Sequence, residues 1–311
     1  MSGLMEARLM QRQFSKAFTL LELLVVVAII AVLAGLILPA LARGKKLARA
    51  AQCASNERQI ALACQLYADT HDGVSVPGRM ARFGVNSDPR NLYEVGNGQH
   101  FRPRWFVTLG SASKVCAFNT PSTDPAEDNL KLVDNKLFLC PSAPERVNNR
   151  DLGYGYNFTF LGNSRLRASG SFIQFPVRVD TLAASRTVLV ADSLGTAAGK
   201  PAAARTPYDP DGSVDRSRLG YHAWALDPPR LIPGVSDFCD DANRVPQHRG
   251  GVDARHDIYA NTVFLDGHVE KLKPEKLGYV VNPDGSFGVS APASNAQFSG
   301  TGQDSDPPPI L

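Results

Sequence analysis

The hydrophobic residues of this chain are concentrated in one long run near its N-terminus. Between residues 18 and 38 the side chains are apolar or small, except for Thr19 and Glu22. A run of about 20 apolar residues is long enough to cross the hydrocarbon core of a bilayer as a helix. The pattern therefore predicts a transmembrane helix over residues 18–38, behind a polar, basic leader at residues 1–17.

Helical spacing of apolar residues continues after Pro39. The proline removes one backbone hydrogen bond, so we expect a bend there. Over residues 39–72 apolar side chains recur near every third or fourth position with Lys and Arg between them, which predicts an amphipathic helix. His71-Asp72-Gly73, followed by Pro77, marks the expected end of this helix.

The remaining regular pattern predicts a domain over residues 73–289 that contains an antiparallel sheet. Short β-branched or aromatic runs predict strands at residues 136–141, 153–160 and 186–193. Residues 279–289 are expected to add a further hairpin around an Asn-Pro-Asp-Gly turn. Residues 200–250 are rich in Pro, Asp and Arg and are interpreted as a long insertion.

A second hairpin is predicted where Asp266-Gly267 separates two apolar runs. This dipeptide favours a two-residue type I′ turn. Such a turn would place Phe264 opposite Val269 and Leu265 opposite His268.

The C-terminal segment differs in composition from the rest of the chain. From residue 282 onward Lys and Arg are absent, and small, polar and proline residues dominate. This composition predicts a disordered tail over residues 290–311. The formal net charge of +3 is nearly balanced, so no binding to nucleic acid is expected.

Five cysteines are present, and none forms a Cys-x-x-Cys pair. Cys53 and Cys64 share one helical face but lie roughly 16 Å apart along the helix, too far for a disulfide. Cys116 and Cys140 flank a polar loop and are the candidate disulfide if the domain is extracytoplasmic. Cys239 is an alternative partner for either of them.

Candidate chemistry is sparse, and no motif of a hydrolase, zinc protease or P-loop enzyme is present. His256 together with Asp266 and His268 could form a metal or acid–base cluster. We favour a structural role, in which His256 binds a backbone carbonyl or Asp266 and stabilises the hairpin. No catalytic residue is therefore assigned, and no cofactor is expected apart from a calcium candidate.

That calcium candidate is the acidic segment with Asp209, Asp211 and Asp215, where oxygen ligands alternate around a glycine. It lacks the later bidentate glutamate of an EF-hand loop. A solvated acidic turn is therefore the favoured interpretation.

The segment from Lys16 to Glu22, followed by the apolar run, resembles the signal of type IV prepilins and type II secretion pseudopilins. The resemblance implies that a prepilin peptidase cuts between Ala17 and Phe18 and methylates the new N-terminus. It also implies that Glu22 pairs with the Phe18 amine of a neighbouring subunit, and that Pro39 occupies a typical family position. Ala17 replaces the usual glycine, so slower cleavage is expected.

The C-terminal half carries a second resemblance. His256, nine further residues and Asp266-Gly267 are similar to the C-terminal part of pseudopilin-like proteins of planctomycete and verrucomicrobial type. Together the resemblances imply an α+β, pilin-like fold and a structural subunit of a type II secretion-like filament. They further imply a single-pass inner-membrane location, a periplasmic domain and other pilin subunits as partners. The alternatives are a type IV pilin for adhesion or motility, and a membrane-anchored binding module or hydrolase.

Overall fold

The computed structural model describes residues 19–78, 93–95, 98–100, 104–119, 133–143, 152–162, 164–166, 172–175, 177–205, 222–236, 238–239 and 245–309. Its α-helices are α1 (Leu20–Thr70), α2 (Trp105–Ser113) and α3 (Phe158–Leu161). Its strands are β1 (Tyr93–Val95), β2 (Gly98–His100), β3 (Tyr154–Tyr156), β4 (Ser164–Leu166), β5 (Phe172–Gln174), β6 (Val188–Asp192), β7 (Ala260–Phe264), β8 (Val269–Leu272), β9 (Val280–Val281) and β10 (Phe287–Gly288). The chain divides into two compact units, Met1–Leu47 and Ala48–Leu311.

The described part of the first unit is an exposed apolar helix. Every leucine, isoleucine and valine side chain from Leu20 to Leu38 is at least 45% exposed. The helix continues through Pro39 without interruption. By length and composition, α1 contains one candidate membrane span.

In the second unit, one face of α1 is part of the domain core. Its buried positions include Cys53, Glu57, Ile60, Cys64 and Tyr67, which follow one another at intervals of three and four residues. This spacing keeps them on one side of the helix, as expected for an amphipathic segment. Their neighbours in the core include aromatic side chains: Trp105, Phe106, Phe138, Tyr154 and Tyr156.

The end of α1 lies where the sequence predicts it. Asp72 and Gly73 have positive φ angles of 53° and 75°, and the Gly73 amide donates to the Ala68 carbonyl at 2.9 Å. Left-handed residues of this kind stop a helix, because the chain leaves the helical path. The Arg178 guanidinium also donates to the Asp72 carbonyl at 2.7 Å and holds the turn in place.

A four-stranded antiparallel sheet with the order β3-β6-β7-β8 lies at the centre of the second unit. All residues of β3, β6 and β7 are buried, whereas β8 lies at the edge and exposes Glu270 and Lys271. The strands predicted around residues 153–160 and 186–193 correspond to β3 and β6. The α+β class, with a long apolar N-terminal helix and an antiparallel sheet, is therefore confirmed.

The β7–β8 hairpin forms, but its predicted register is wrong by one residue. Val263, not Phe264, pairs with Val269, and the Phe264 amide donates to the His268 carbonyl at 2.9 Å. The loop therefore has three residues, with Gly267 at a φ of 89°. Leu265 is taken into the loop because its amide donates to Thr187 and its side chain is buried. A three-residue loop that ends in a left-handed glycine is a common alternative to the type I′ turn.

The strand predicted at residues 136–141 is also wrong, since Lys136–Phe138 forms a 3₁₀ helix. The Asn135 side chain accepts a hydrogen bond from the Leu137 amide at 3.0 Å. Such a cap starts a helical turn and competes with an extended strand. The hairpin predicted at residues 279–289 is confirmed as β9 and β10.

The proposed Cys116–Cys140 disulfide is wrong, because all five cysteines are free. Cys116 packs against Gly110 of α2, whereas the Cys140 sulfur lies within 4.8 Å of the Cys53 sulfur. Cys239 is buried elsewhere and replaces neither partner.

Buried residues also come from the predicted insertion and from the predicted tail. Within the predicted insertion, Trp224 and Asp227 are buried and Arg249 is completely enclosed. Residues 290–309 differ from the expected disordered tail, because Asn295 and Phe298 are fully buried. Composition did not indicate this, because a few buried anchors are enough to order a segment that is otherwise small and polar.

Candidate functional site

The N-terminal end of α1 forms a reciprocal cap between Thr19 and Glu22. The Thr19 amide and hydroxyl each lie 2.9 Å from Glu22 Oε2, and the Glu22 amide donates to the Thr19 hydroxyl at 3.2 Å. This is a capping box, in which two backbone donors without helical partners are satisfied by side chains. The predicted cleavage residues Ala17 and Phe18 lie outside the described residues.

A second arrangement lies within the domain and was not predicted. One donor atom from each of Cys53, Cys140, Asp192 and His256 lies within 4.8 Å of the other three. All four residues are buried, and Cys53 and Asp192 have no exposed surface. The donors are two sulfurs, one carboxylate oxygen and one imidazole nitrogen, a set that suits a metal ion.

Four separate parts of the fold bring these residues together. Cys53 lies on the buried face of α1, and Cys140 follows the 3₁₀ turn at Lys136–Phe138. Asp192 is the last residue of β6, and His256 comes shortly before β7. The cluster therefore joins α1 to the sheet and to the segment that leads into its third strand.

Neighbouring residues fix the orientation of Asp192. Its Oδ2 atom accepts a hydrogen bond from the backbone amide of Asn261 at 2.9 Å. The Asn261 side chain in turn donates to the Ala50 carbonyl of α1 at 3.2 Å. Arg255 Nε lies 3.8 Å from Asp192 Oδ1, and Arg255 Nη2 donates to the Ser193 carbonyl at 2.6 Å. The carboxylate is thus held by β7 and lies close to the buried guanidinium of Arg255.

Burial, charges and hydrogen bonds within the cluster change the pKa values of its side chains. Burial lowers the pKa of His256, but Asp192 and Cys140 outweigh it and raise this pKa to about 9. A hydrogen bond with Cys140 lowers the pKa of Cys53, and the same bond and burial raise the pKa of Cys140. Burial, followed by the charge of Asp192, raises the pKa of Glu57 well above its ordinary value. Cys53 is therefore the thiol of the pair that loses its proton more readily.

The structure separates the residues that the sequence grouped with His256. The His256 Nε2 atom lies 3.2 Å from Asp192 Oδ2, not beside Asp266. Asp266 instead contacts His268, with 2.5 Å between the carboxylate and Nδ1, and this pair is partly exposed. Of the two partners expected for His256, a backbone carbonyl or Asp266, the second is therefore wrong, since the hairpin turns Asp266 towards its own loop. The calcium candidate at Asp209, Asp211 and Asp215 lies outside the described residues.

A buried pair that no sequence pattern indicated, Asp227 and Arg249, holds the described parts of residues 222–250 in place. Asp227 accepts the backbone amides of Cys239 at 2.7 Å and Gly250 at 2.5 Å. Arg249 donates to the carbonyls of Pro228 at 2.7 Å and Pro229 at 3.0 Å, and it also bonds Gly288. No local pattern marks either residue, because their partners lie in other parts of the chain.

Comparison with known protein families identifies the class of the N-terminal segment. Residues 12–38 match the family described as the prokaryotic N-terminal methylation motif. No curated protein and no solved structure gives a significant match to the chain. The motif defines a prepilin-type signal, and it indicates a precursor of the type IV pilin or pseudopilin kind with a candidate membrane anchor.

Proposed function

We propose that this protein is a structural subunit of a pilus-like filament in a type II secretion-like system. A prepilin peptidase cleaves between Ala17 and Phe18 and methylates the Phe18 amine. The mature helix remains in the inner membrane until assembly, with the second unit on the periplasmic side. The chain then joins other pilin or pseudopilin subunits, and its work is assembly, not catalysis.

The observation that carries the proposal is the match of residues 12–38 to the methylation motif. The motif includes the start of α1, a helix whose apolar side chains find no partner within the described chain up to Leu38. A surface of this kind needs lipid before assembly and neighbouring helices afterwards. A single carboxylate, Glu22, lies in the apolar run, and an ionisable residue in a membrane segment is expected to have a functional partner.

We assign Glu22 the role of pairing with the Phe18 amine of the next subunit. A carboxylate in an apolar environment is stabilised by an opposite charge. Among the described residues of the single chain, this carboxylate is bound only to Thr19, two residues after the cleavage position. Assembly would therefore replace a local cap by a pair between two chains.

The secretion system is preferred over a motility pilus because of the C-terminal resemblance. His256, nine residues and Asp266-Gly267 follow the pattern of the pseudopilin-like group, and the large domain is also typical of it. A tethered hydrolase would need a nucleophile within reach of a substrate. In the described residues, Cys53 and Cys140 are at most 1% exposed, so the cluster does not support that alternative.

The central experiment is to determine the mature N-terminus by mass spectrometry. The chain is co-expressed with a prepilin peptidase, and a peptidase-free host is the control. We expect a product that begins with N-methylated Phe18 only when the peptidase is present. A product that starts at Met1 in both hosts, or is cut elsewhere, would contradict the proposal.

A deletion in the native organism then distinguishes secretion from motility. Loss of an exported protein with normal surface movement supports the type II secretion-like assignment. Loss of twitching or adhesion with normal export would assign the subunit to a type IV pilus.

A further inference from the structure

We propose that Cys53, Cys140, Asp192 and His256 bind one Zn²⁺ ion, and that this ion fixes α1 to the sheet. The N-terminal signal neither requires nor implies such a site. The proposal rests on the donor set, on its enclosure and on polar atoms that lack partners.

The four donors are spaced almost as closely as the ligands of a tetrahedral zinc ion. In a tetrahedral site, sulfur lies about 2.3 Å and nitrogen or oxygen about 2.0–2.2 Å from zinc, which places neighbouring donors roughly 3.3–3.8 Å apart. In this chain all four donors lie within 4.8 Å of one another. Side-chain movements of about 1 Å would bring them to zinc distances.

The cluster also contains buried polar atoms without hydrogen bonds. Asp192 Oδ1 and His256 Nε2 are both enclosed and neither has a hydrogen-bond partner. His256 Nε2 lies 3.2 Å from Asp192 Oδ2 but lacks the alignment of a hydrogen bond. Buried polar atoms are almost always satisfied in folded proteins, so their joint presence at one point indicates a missing partner. A cation placed among the four donors supplies that partner.

Charge balance also fits a divalent ion. Two thiolates and one carboxylate carry three negative charges. With Zn²⁺ bound, the site has a net charge of about −1. The Arg255 guanidinium, only 8% exposed, lies 3.8 Å from Asp192 and contacts the carboxylate of Asp253 at 2.9 Å. Glu57, one helical turn after Cys53, is fully buried without hydrogen bonds on either carboxylate oxygen. Its two oxygens are further buried polar atoms without hydrogen bonds beside the cluster.

The arrangement has the properties of a structural site. Four protein ligands complete a tetrahedral shell and leave no position for a substrate. Mixed sulfur and nitrogen ligands with tetrahedral spacing favour zinc over magnesium or calcium, which prefer oxygen. The ligands come from distant parts of the chain, so binding the ion would link α1, the Cys140 turn, β6 and the segment before β7.

The main competing outcome is a disulfide between Cys53 and Cys140. Their sulfurs are within 4.8 Å, and a periplasmic location would permit oxidation. A disulfide would consume both thiolates and leave no zinc site. The experiment must therefore record the metal and the cysteine oxidation state in the same sample.

The full chain is purified in detergent without chelators. Elemental analysis is expected to give about one zinc per chain. Cys53→Ser, Cys140→Ser and His256→Gln should each reduce this ratio at least about tenfold. Cys64→Ser is the matched control, since Cys64 is a buried cysteine on the same helix but outside the cluster, and this variant should retain its zinc.

A second measurement keeps the test valid if a variant fails to fold. The wild-type chain is depleted of metal and then titrated with Co²⁺, which gives intense visible bands in tetrahedral sites and a thiolate charge-transfer band. We expect saturation at one Co²⁺ per chain and reversal by Zn²⁺. The proposal is overturned if wild-type chain binds neither metal, or if peptide mapping without reductant finds a Cys53–Cys140 disulfide. Full zinc retention by folded Cys53→Ser and Cys140→Ser would also overturn it.

Discussion

The Thr19 amide donates a hydrogen bond to Glu22 Oε2 at 2.9 Å, and the Thr19 hydroxyl lies at the same distance from that oxygen. The carboxylate is therefore engaged within its own chain at the first turn of α1. The proposed cut before Phe18 leaves the Thr19 nitrogen as an amide, so this cap remains available after processing. Any contact of Glu22 with a neighbouring subunit has to compete with it.

Glu22 therefore has two possible roles, as a helix cap and as a charge for assembly. An alanine variant would remove both at once. Glu22→Gln keeps an acceptor at the third helical position, where glutamine also forms capping boxes, but removes the charge. We expect its incorporation into filaments to fall by at least about 100-fold, since breaking a buried ion pair costs about 3–5 kcal/mol and each 1.4 kcal/mol corresponds to about a factor of ten. Quantitative immunoblotting of sheared filaments, normalised to mature subunit in the membrane, measures the effect.

Thr19→Ala is the matched control for that prediction. It keeps the carboxylate and removes the capping hydroxyl, which costs about 1 kcal/mol at the helix end. Its incorporation should remain close to that of the wild type. If Glu22→Gln assembles normally while Thr19→Ala does not, the cap and not the charge is what assembly requires.

The second prediction concerns the residue before the cleavage position. Ala17 is small but replaces the glycine that is usual in the resembling signals. Ala17→Gly should accelerate processing by prepilin peptidase, and Ala17→Leu should block it because the larger side chain hinders access to the peptide bond. Pulse-chase labelling gives the rate from the loss of precursor. Equal rates for all three chains would show that the peptidase does not act at this bond.

The third prediction tests whether residues 290–309 belong to the folded domain. Phe298 has no exposed surface, and the Asn157 side chain donates to its carbonyl at 2.9 Å. Phe298→Ala should lower the free energy of unfolding by about 3–5 kcal/mol, as is usual when a large aromatic is removed from a core. Denaturant titration followed by fluorescence is suitable, because both tryptophans, Trp105 and Trp224, are buried.

Gln303→Ala provides the comparison for this measurement. Its side chain is exposed, and exposed substitutions usually change stability by about 0.5 kcal/mol or less. If Phe298→Ala were as stable as Gln303→Ala, the C-terminal segment would not be part of the core.

The fourth prediction is a pH dependence that originates in Asp227. Burial raises the pKa of this carboxyl from 3.8 to about 6, although its bonds to Gly250 and Cys239 oppose the shift. The folded state therefore holds this proton more tightly than the unfolded state does. The resulting stability is present below pH about 4 and is lost as the pH rises through about 6.

The size of this effect follows from the shift. A pKa shift of this size contributes about 3 kcal/mol to the free energy of unfolding. This contribution is lost as the pH rises from about 4 to about 6, and Asp227 causes no further change above that range. Denaturant titration of wild type and Asp227→Asn at several pH values isolates it, because asparagine does not titrate. The stability difference between the two chains should change over this range. Parallel pH profiles would show that Asp227 does not change its protonation state on folding.

Prediction from sequence was most successful where the physical signal is local. The apolar run, the helical spacing of Cys53, Ile60 and Cys64, and the stop at Asp72-Gly73 depend on neighbours within a turn or two. The β7–β8 hairpin was found for the same reason, but its register was not. Leu265 is buried, and its amide donates to the carbonyl of Thr187, the residue before β6. These two contacts favour the three-residue loop over the predicted two-residue turn.

The sequence by itself determined the prepilin-type signal, the membrane-length helix and the α+β class, because periodicity and a short motif carry that information. Only the tertiary structure decided that Cys53, Cys140, Asp192 and His256 meet, and that Asp266 is not the partner of His256. These four residues are far apart in the chain, and no local spacing relates them. Their proximity results from packing α1 against the sheet, which depends on the whole core.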